Sequence, residues 1–281
     1  MKYYINYADN IFKKQQKFAL TMAKFFGNFD EVISYSKKDI DTDFYKTNKH
    51  ILEQKRGVGY WLWKPYFVVK TIDKLKNGDY LFYCDAGAFF LKNVDILINE
   101  MEKAKQDIMG FELPLIEEQW TKKELFINLE CNEEEYYSSN QILASFMLIK
   151  KNKKSSIFCK NWLEASCNVI NITDEHDKNI KQKNNFIEHR HDQSIFSLLY
   201  KKNKLKSFKD PSQLGKHPQP YSSIKGIKIT LNKLTLLENG RLFNVKQYAE
   251  KYKFIIFHHR SKSPIKSLLK YLIKECFRIA L

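Results

Sequence analysis

Apolar and polar residues recur along this chain with two periods, and the switches between them mark its elements. Residues 2–7 (KYYINY) read as a strand. Phe18, Ala19, Met22, Ala23 and Phe26 then share one face of a helix from about Phe12 to Phe26, which Gly27 stops. EVISYS (31–36) reads as a second strand, a helix crosses 44–55, and another runs from Pro65 to about Lys76. YLFYC (80–84) is a short unbroken apolar run, the pattern of a strand covered on both faces. Strands alternating with helices predict an α/β fold with a mainly parallel sheet flanked by helices.

Past Asp85 the pattern continues with a helix at about 94–105, the run IMGFEL, a polar and aromatic stretch from Glu117 to Tyr137, and a strand at 142–150. SSIFCKNWLEAS and DQSIFSLLYKK both have helical spacing, whereas 171–187 is polar throughout and reads as a mobile loop. The tail is different. Ser263 can cap and Pro264 suits a first helical position. Ile265, Leu268, Leu269, Leu272, Ile273, Cys276, Phe277 and Ala280 fall on one stripe, with Lys266, Lys270, Lys274 and Arg278 recurring on the other side. The reading is one domain over residues 1–260 and a basic amphipathic helix over 261–281.

Composition narrows this further. With 43% hydrophobic residues in 281, including 21 Phe and 16 Tyr, the chain has ample material for a core. Only 9 Gly and 6 Pro argue against a sandwich of many tight turns. The net charge of +16 points to an anionic partner, or to solubility alone. Five cysteines without CxxC spacing indicate neither a zinc site nor a disulfide framework. The N-terminus lacks an apolar signal segment, and no apolar run reaches the ~18 residues that span a bilayer. An intracellular protein in a reducing cytoplasm is expected.

Candidate chemistry gathers round Asp85, at the carboxyl end of a buried strand, where open α/β sheets bind ligands. Ala86 and Gly87 leave room beside it. A carboxylate there holds a divalent cation or a ribose hydroxyl, and equally can cap a turn. Ahead of it, Gly57 and Gly59 loosen the backbone before Trp61 and Trp63, two rigid planes that suit a ligand or a core. Pro65 opens a helix whose first N–H groups can face an anion, with the charge of Lys64 alongside.

RGVGYWLWKP, GDYLFYCDAG and HRHDQSIFSLL, in that order, resemble a family of bacterial glycosyltransferases with a GT-A-type fold, found in capsule and lipopolysaccharide gene clusters. The resemblance spans roughly residues 1–260. It implies a hexosyltransferase-like enzyme that moves a sugar from a nucleotide-diphosphate donor, a UDP-sugar favoured, to a glycan acceptor. It implies donor contacts at Tyr7, Ala8, Arg56, Tyr60, Trp61, Lys64, Asp85, Ala86 and Gly87. It places Glu112, Trp120, Lys122, His191 and Gln193 on the acceptor side, and Asp192 as the base that takes the acceptor's proton. Asp192 can also simply cap its helix, and His189 and His191 can be plain surface histidines.

Where that fold class uses DxD to hold Mn²⁺ or Mg²⁺, this chain has Asp85-Ala86-Gly87. A metal would therefore need Asp85 together with His258 or His259. Alternatively Lys64, Arg56 or Arg260 serve as fixed positive charges. Asp39-Ile40-Asp41 spells DxD literally but lies in a polar loop, as do the acids of DEHD (174–177).

A lipid-linked acceptor would suit an enzyme peripheral to the inner face of the cytoplasmic membrane. The four basic tail residues contribute ~4 kcal/mol at most near an anionic leaflet, about millimolar affinity, so the stripe must also insert. Packing back onto the domain is the other use of that stripe. Two rival functions weigh less. A nucleic-acid-binding protein lacks any RNP or KH signature, and its charge is spread along the chain, so no nucleic-acid partner is expected. A noncatalytic membrane-surface protein leaves Asp85 and Asp192 unexplained. No G-x-S-x-G marks a serine hydrolase.

Overall fold

The computed structural model describes residues 1–216, 234–237, 239–250, 252, 254–259 and 261–279. Its strands are β1 (Lys2–Tyr7), β2 (Glu31–Tyr35), β3 (Tyr80–Cys84), β4 (Ala88–Phe90), β5 (Ile108–Ile116), β6 (Asn140–Lys150), β7 (Phe208–Lys209), β8 (Thr235–Leu236), β9 (Leu242–Phe243) and β10 (Ile256–His258). The main sheet runs β2-β1-β3-β6-β5-β9-β8, with β7 also on β5, while β10 pairs with β4 in a separate two-stranded ribbon. β1 is parallel to both neighbours, β2 and β3, and β6 runs antiparallel between β3 and β5. Helices cover the sheet, giving the α/β class that the alternating pattern predicts.

Burial explains the unbroken apolar run of β3. Leu81 and Tyr83 enter one core with Phe67, Trp162 and Phe196, whereas Phe82 and Cys84 enter the other with Phe29, Phe90 and Met101. A strand packed on both faces has no position for a polar residue until it ends, and it ends at Asp85.

Local deviations from the periodicity have local causes. The helix expected over 44–55 is split into Thr42–Thr47 and Lys49–Leu52 at Asn48, whose side-chain amide donates to the Phe44 carbonyl. The helix expected from Pro65 begins earlier, at Trp63, and ends at Ile72. Pro65 still lies in its first turn, where a missing N–H breaks no bond. The Lys64 and Tyr66 N–H groups bond the Trp61 and Leu62 carbonyls, so they are not open to an anion as expected. The stretch 171–187 is also tied down. Buried Lys122 donates to the Thr173 and Glu175 carbonyls at 2.7 Å each, and Gln182 donates to Glu124.

The tail forms a helix over Pro264–Ile279. Its expected single stripe is divided. Leu268, with Tyr271, packs on a cluster round Ala19, Phe89 and Phe257, whereas Ile265, Leu269, Leu272, Ile273 and Phe277 are exposed. Ala280 and Arg260, and the side chain of Arg278, lie outside the described residues. Among the described residues no helix is long and apolar enough to cross a membrane.

Candidate active site

A cleft of about 720 Å³ opens beyond the carboxyl ends of β1 and β3. Its floor is built by β1, which delivers Tyr7 and Ala8, and by β3, which delivers Asp85, Ala86 and Gly87. The Tyr7 ring stacks on Trp63 at 4.0 Å, and Trp63 donates its indole N–H to the Gly57 carbonyl. Gly87 is required by proximity: a Cβ there would sit 2.9 Å from the His259 carbonyl of the strand laid across it.

One wall is a strained turn. Gly57, Val58, Gly59, Tyr60 and Trp61 all have positive φ, between 51° and 95°. A Cβ on Gly59 would meet the Leu52 Cα at 2.7 Å, so that position demands glycine on two grounds. Val58, Tyr60 and Trp61 hold conformations that cost about 1–3 kcal/mol each, and such strain concentrates at ligand sites. The two glycines therefore do more than loosen the chain. They let the turn press Tyr60 and Trp61 against His191, with ring centroids at 4.9 and 5.3 Å.

The facing wall is the segment Glu188–Gln193. His191 has φ 52°, ψ −121°, another strained position. Arg56 donates from Nε to His191 Nε2 at 2.9 Å, so the neutral ring carries its proton on Nδ1, which points at the Ile172 carbonyl 2.8 Å away. Burial lowers its pKa to about 4. Arg56 also lies 3.5 Å from Asp174 and 3.7 Å from Glu188, and Tyr60 donates to Asp174. Sequence spacing offered no sign of this clasp across the cleft.

At the centre stands Lys64. Its side chain is 4% exposed, and Nζ lies 2.8 Å from Asp192 Oδ2 and 3.5 Å from Asp85 Oδ1. Tyr83 donates to the same Asp85 oxygen at 2.5 Å. Burial alone would push the Lys64 ammonium down, but Asp192 and Asp85 outweigh it and hold it above the ordinary lysine value. Burial lifts the Asp192 carboxyl to about 6 against the opposing pull of Lys64, and Asp85 adds to the rise. The pattern thus places a carboxylate with a near-neutral pKa at the start of the helix Asp192–Lys202, within an open cleft. Trp162 fixes the backbone there by donating to the Asp192 carbonyl.

Of the residues singled out in the sequence, Tyr7, Ala8, Arg56, Trp61, Lys64, Asp85, Ala86, Gly87, His191, Asp192, Gln193 and His258 all line the cleft. Tyr60 stands behind it. His189 and His191 are each 2% exposed, not surface histidines, and both ring nitrogens of His191 are engaged within the protein, so it holds Arg56 and leaves no nitrogen for an acceptor. Gln193 is likewise committed, accepting from the Ala144 N–H and donating to Gln141. Glu112, Trp120 and Lys122 do not reach the cleft, against the expectation of an acceptor side there. Glu112 is buried on β5 between Ser207 and Lys246, Trp120 is buried under Arg190, and Lys122 is spent on the 173–175 carbonyls. Asp9, Phe12, Ser145, Glu188 and Arg190 line the cleft without having been singled out. Glu188 precedes the HRHDQ run and Arg190 lies within it, and that adjacency was the available signal. The literal DxD is elsewhere: Asp41 pairs with Lys70 and accepts from Tyr66, and Asp39 accepts from the Ser36 N–H.

Among the described residues the charged lining comprises Arg56, Lys64 and Arg190 against Asp9, Asp85, Glu188 and Asp192. That described lining is therefore not basic, although the chain is. Among the described residues no three His, Cys, Asp or Glu side chains gather to hold a metal ion. Asp85, His258 and His259 line the same cleft, fewer ligands than a hard cation takes.

No family model matches this chain, and no curated protein matches it. Solved structures do. Mouse xyloside xylosyltransferase 1, in its apo form, shares 9% identity over 94% of this chain and 98% of its own, with a TM-score of 0.48. The galactosyltransferase LgtC, solved with donor and acceptor sugar analogues, shares 11% over 93% and 88%, at 0.43. The glycosyltransferase GlyE of Streptococcus pneumoniae TIGR4, also apo, shares 14% over 93% of this chain, which spans 55% of GlyE, at 0.42. With TM-scores under 0.5, none of the three bears on residues or reaction.

Proposed function

We propose that this chain is a GT-A-type glycosyltransferase that moves a sugar, in a hexosyltransferase-like reaction, from a nucleotide-diphosphate donor to a glycan acceptor. The observation that carries it is Lys64 bridging Asp85 and Asp192 on the floor of an open cleft beyond the strand ends. An acid of pKa about 6 in such a place is ionised at neutral pH and still basic enough to accept a proton.

In the reaction, an acceptor hydroxyl oxygen bonds the sugar's anomeric carbon as the bond from that carbon to the diphosphate oxygen breaks. The hydroxyl proton passes to Asp192, and the electron pair leaves with the nucleoside diphosphate. Lys64 keeps the two acids apart in role, pairing with Asp192 in the ground state and holding Asp85 toward the donor. Tyr7 and Ala8 suit the nucleotide base, and Arg56, fixed by His191, suits a diphosphate oxygen.

Among the described residues the lining has more acids than cations, which favours a diphosphate that enters with its own divalent cation to neutralise the phosphates. Phosphate oxygens would supply the ligands that Asp85 and His258 lack. The acceptor we favour is a lipid-linked glycan of capsule or lipopolysaccharide synthesis, on the motifs of residues 56–65, 78–87 and 189–199. That acceptor would bring the enzyme to the cytoplasmic face of the membrane.

Thermal unfolding with UDP-, GDP-, CMP- and TDP-sugars, in Mn²⁺ or in EDTA, tests the reading. A rise in Tm with one donor class, a UDP-sugar foremost, and larger in Mn²⁺ than in EDTA, is expected. Indifference to every donor in both conditions would end the proposal.

A further inference from the structure

The helices Lys13–Phe25 and Pro264–Ile279 lie on one flank of the molecule. Each packs on the β4–β10 ribbon through the same small cluster, the first with Ala19, Phe18 and Met22, the second with Leu268 and Tyr271. Tyr271 lies 5.7 Å from Phe257, and Phe18 lies 5.0 Å from Phe89, in rings that touch each other.

Their outward sides are alike. Lys14, Lys17 and Lys24 stand exposed on the first helix, which contains no acid. Lys266, Lys270 and Lys274 stand exposed on the second, whose one acid, Glu275, is buried. Large apolar side chains are interleaved with these cations. On the tail helix, Leu269 is 54%, Ile273 56% and Phe277 69% exposed. On the first, Phe25 is 76% and Phe26, just beyond it, 51%. A solvated face does not need five such residues, and a site for a folded acidic partner does not need cations spaced along two helices.

We infer that the two helices form a single docking face for an anionic lipid surface. The charge complements acidic headgroups over both helices, and the apolar residues have the length to enter the boundary between headgroup and acyl chain. The first helix also begins at the cleft. Phe12, the residue before it, lines the cleft and is 47% exposed, with Ile11 beside it at 71%. The face thus runs up to the mouth of the site, and a molecule anchored in the lipid would reach that mouth from the membrane side. The face stands whatever the cleft transfers.

Co-sedimentation of the full chain with vesicles tests it, using phosphatidylcholine alone or mixed in equal parts with phosphatidylglycerol. Binding to the mixed vesicles alone is expected, falling as salt rises. The variant Lys14→Glu/Lys17→Glu/Lys24→Glu, all at exposed positions that do not line the cleft, should lose affinity by at least about tenfold. Lys266→Glu/Lys270→Glu/Lys274→Glu should lose as much or more. Circular dichroism of each variant confirms the fold, and Phe25→Ser gives an uncharged check that should also weaken binding. Wild-type affinity in the first triple variant would overturn the shared face. So would indifference to anionic lipid, a dimer that hides both helices, or binding of oligonucleotide in place of vesicles.

Discussion

Lys64 decides the chemistry at the scale of single residues. Buried Asp192 and half-buried Asp85, both within 3.5 Å of one ammonium, divide a single positive charge between them, and burial leaves Asp192 with the raised pKa. The rate of transfer should therefore fall as pH drops through about 6, which a pH profile of kcat reads directly. The sign for stability is that of an acid raised by folding. Its contribution is present in acid and lost as pH climbs through about 6. Asp192→Asn should lower transfer by roughly 10²–10⁴-fold, with donor-induced Tm shifts preserved. Transfer near wild type would reduce Asp192 to a helix-start residue. Lys64→Met removes the cation that bridges the two acids. The acid limb should move to higher pH, and stability should fall by about 3–5 kcal/mol, as for other broken buried pairs, measurable by urea denaturation.

Elements bring these residues into reach. β3 carries Asp85 to the cleft because its five residues are packed from both sides, and Phe82 is wholly buried there. Phe82→Ala should cost about 3–5 kcal/mol in chemical denaturation. The turn 57–61 is the opposite case, a strained piece held by its neighbours. Gly59→Ala puts a methyl into the Leu52 backbone and an L side chain at φ 95°. It should cost more than about 1 kcal/mol and also slacken the clasp on His191, raising donor KM. An unchanged Tm and KM would mean that the turn is not under load. Here sequence and structure part. The strands β1, β2, β3 and β6 and the helices after 152 and 191 were legible from period and caps. The clasp was not, because Arg56 and His191 are 135 residues apart.

For the whole molecule, charge and site point different ways. The chain carries an excess of +16, and among the described residues the cleft lining does not share it. Oligonucleotide should therefore leave Tm unchanged in moderate salt, where a donor sugar with Mn²⁺ raises it. Protection by oligonucleotide alone, lost steeply with salt, would favour a nucleic-acid protein instead. The tail makes the same point about scale. Its periodicity announced an amphipathic helix with one stripe, but the structure divides that stripe between the domain and solvent. Leu268 packs inward and Leu269, Ile273 and Phe277 remain outside.

By itself the sequence determined the class of fold and the floor of the cleft, because periodicity, caps and strand-end acids are local and need no distant partner. Only the tertiary structure decided which ionisable groups share one site. It joined Lys64 to Asp192, 128 positions further along the chain, consumed the nitrogens of His191, and withdrew Glu112, Trp120 and Lys122 into walls and core. The reason is physical. A pKa or an ion pair depends on distance and burial, and those arise from how the β-sheet and its helices close on each other.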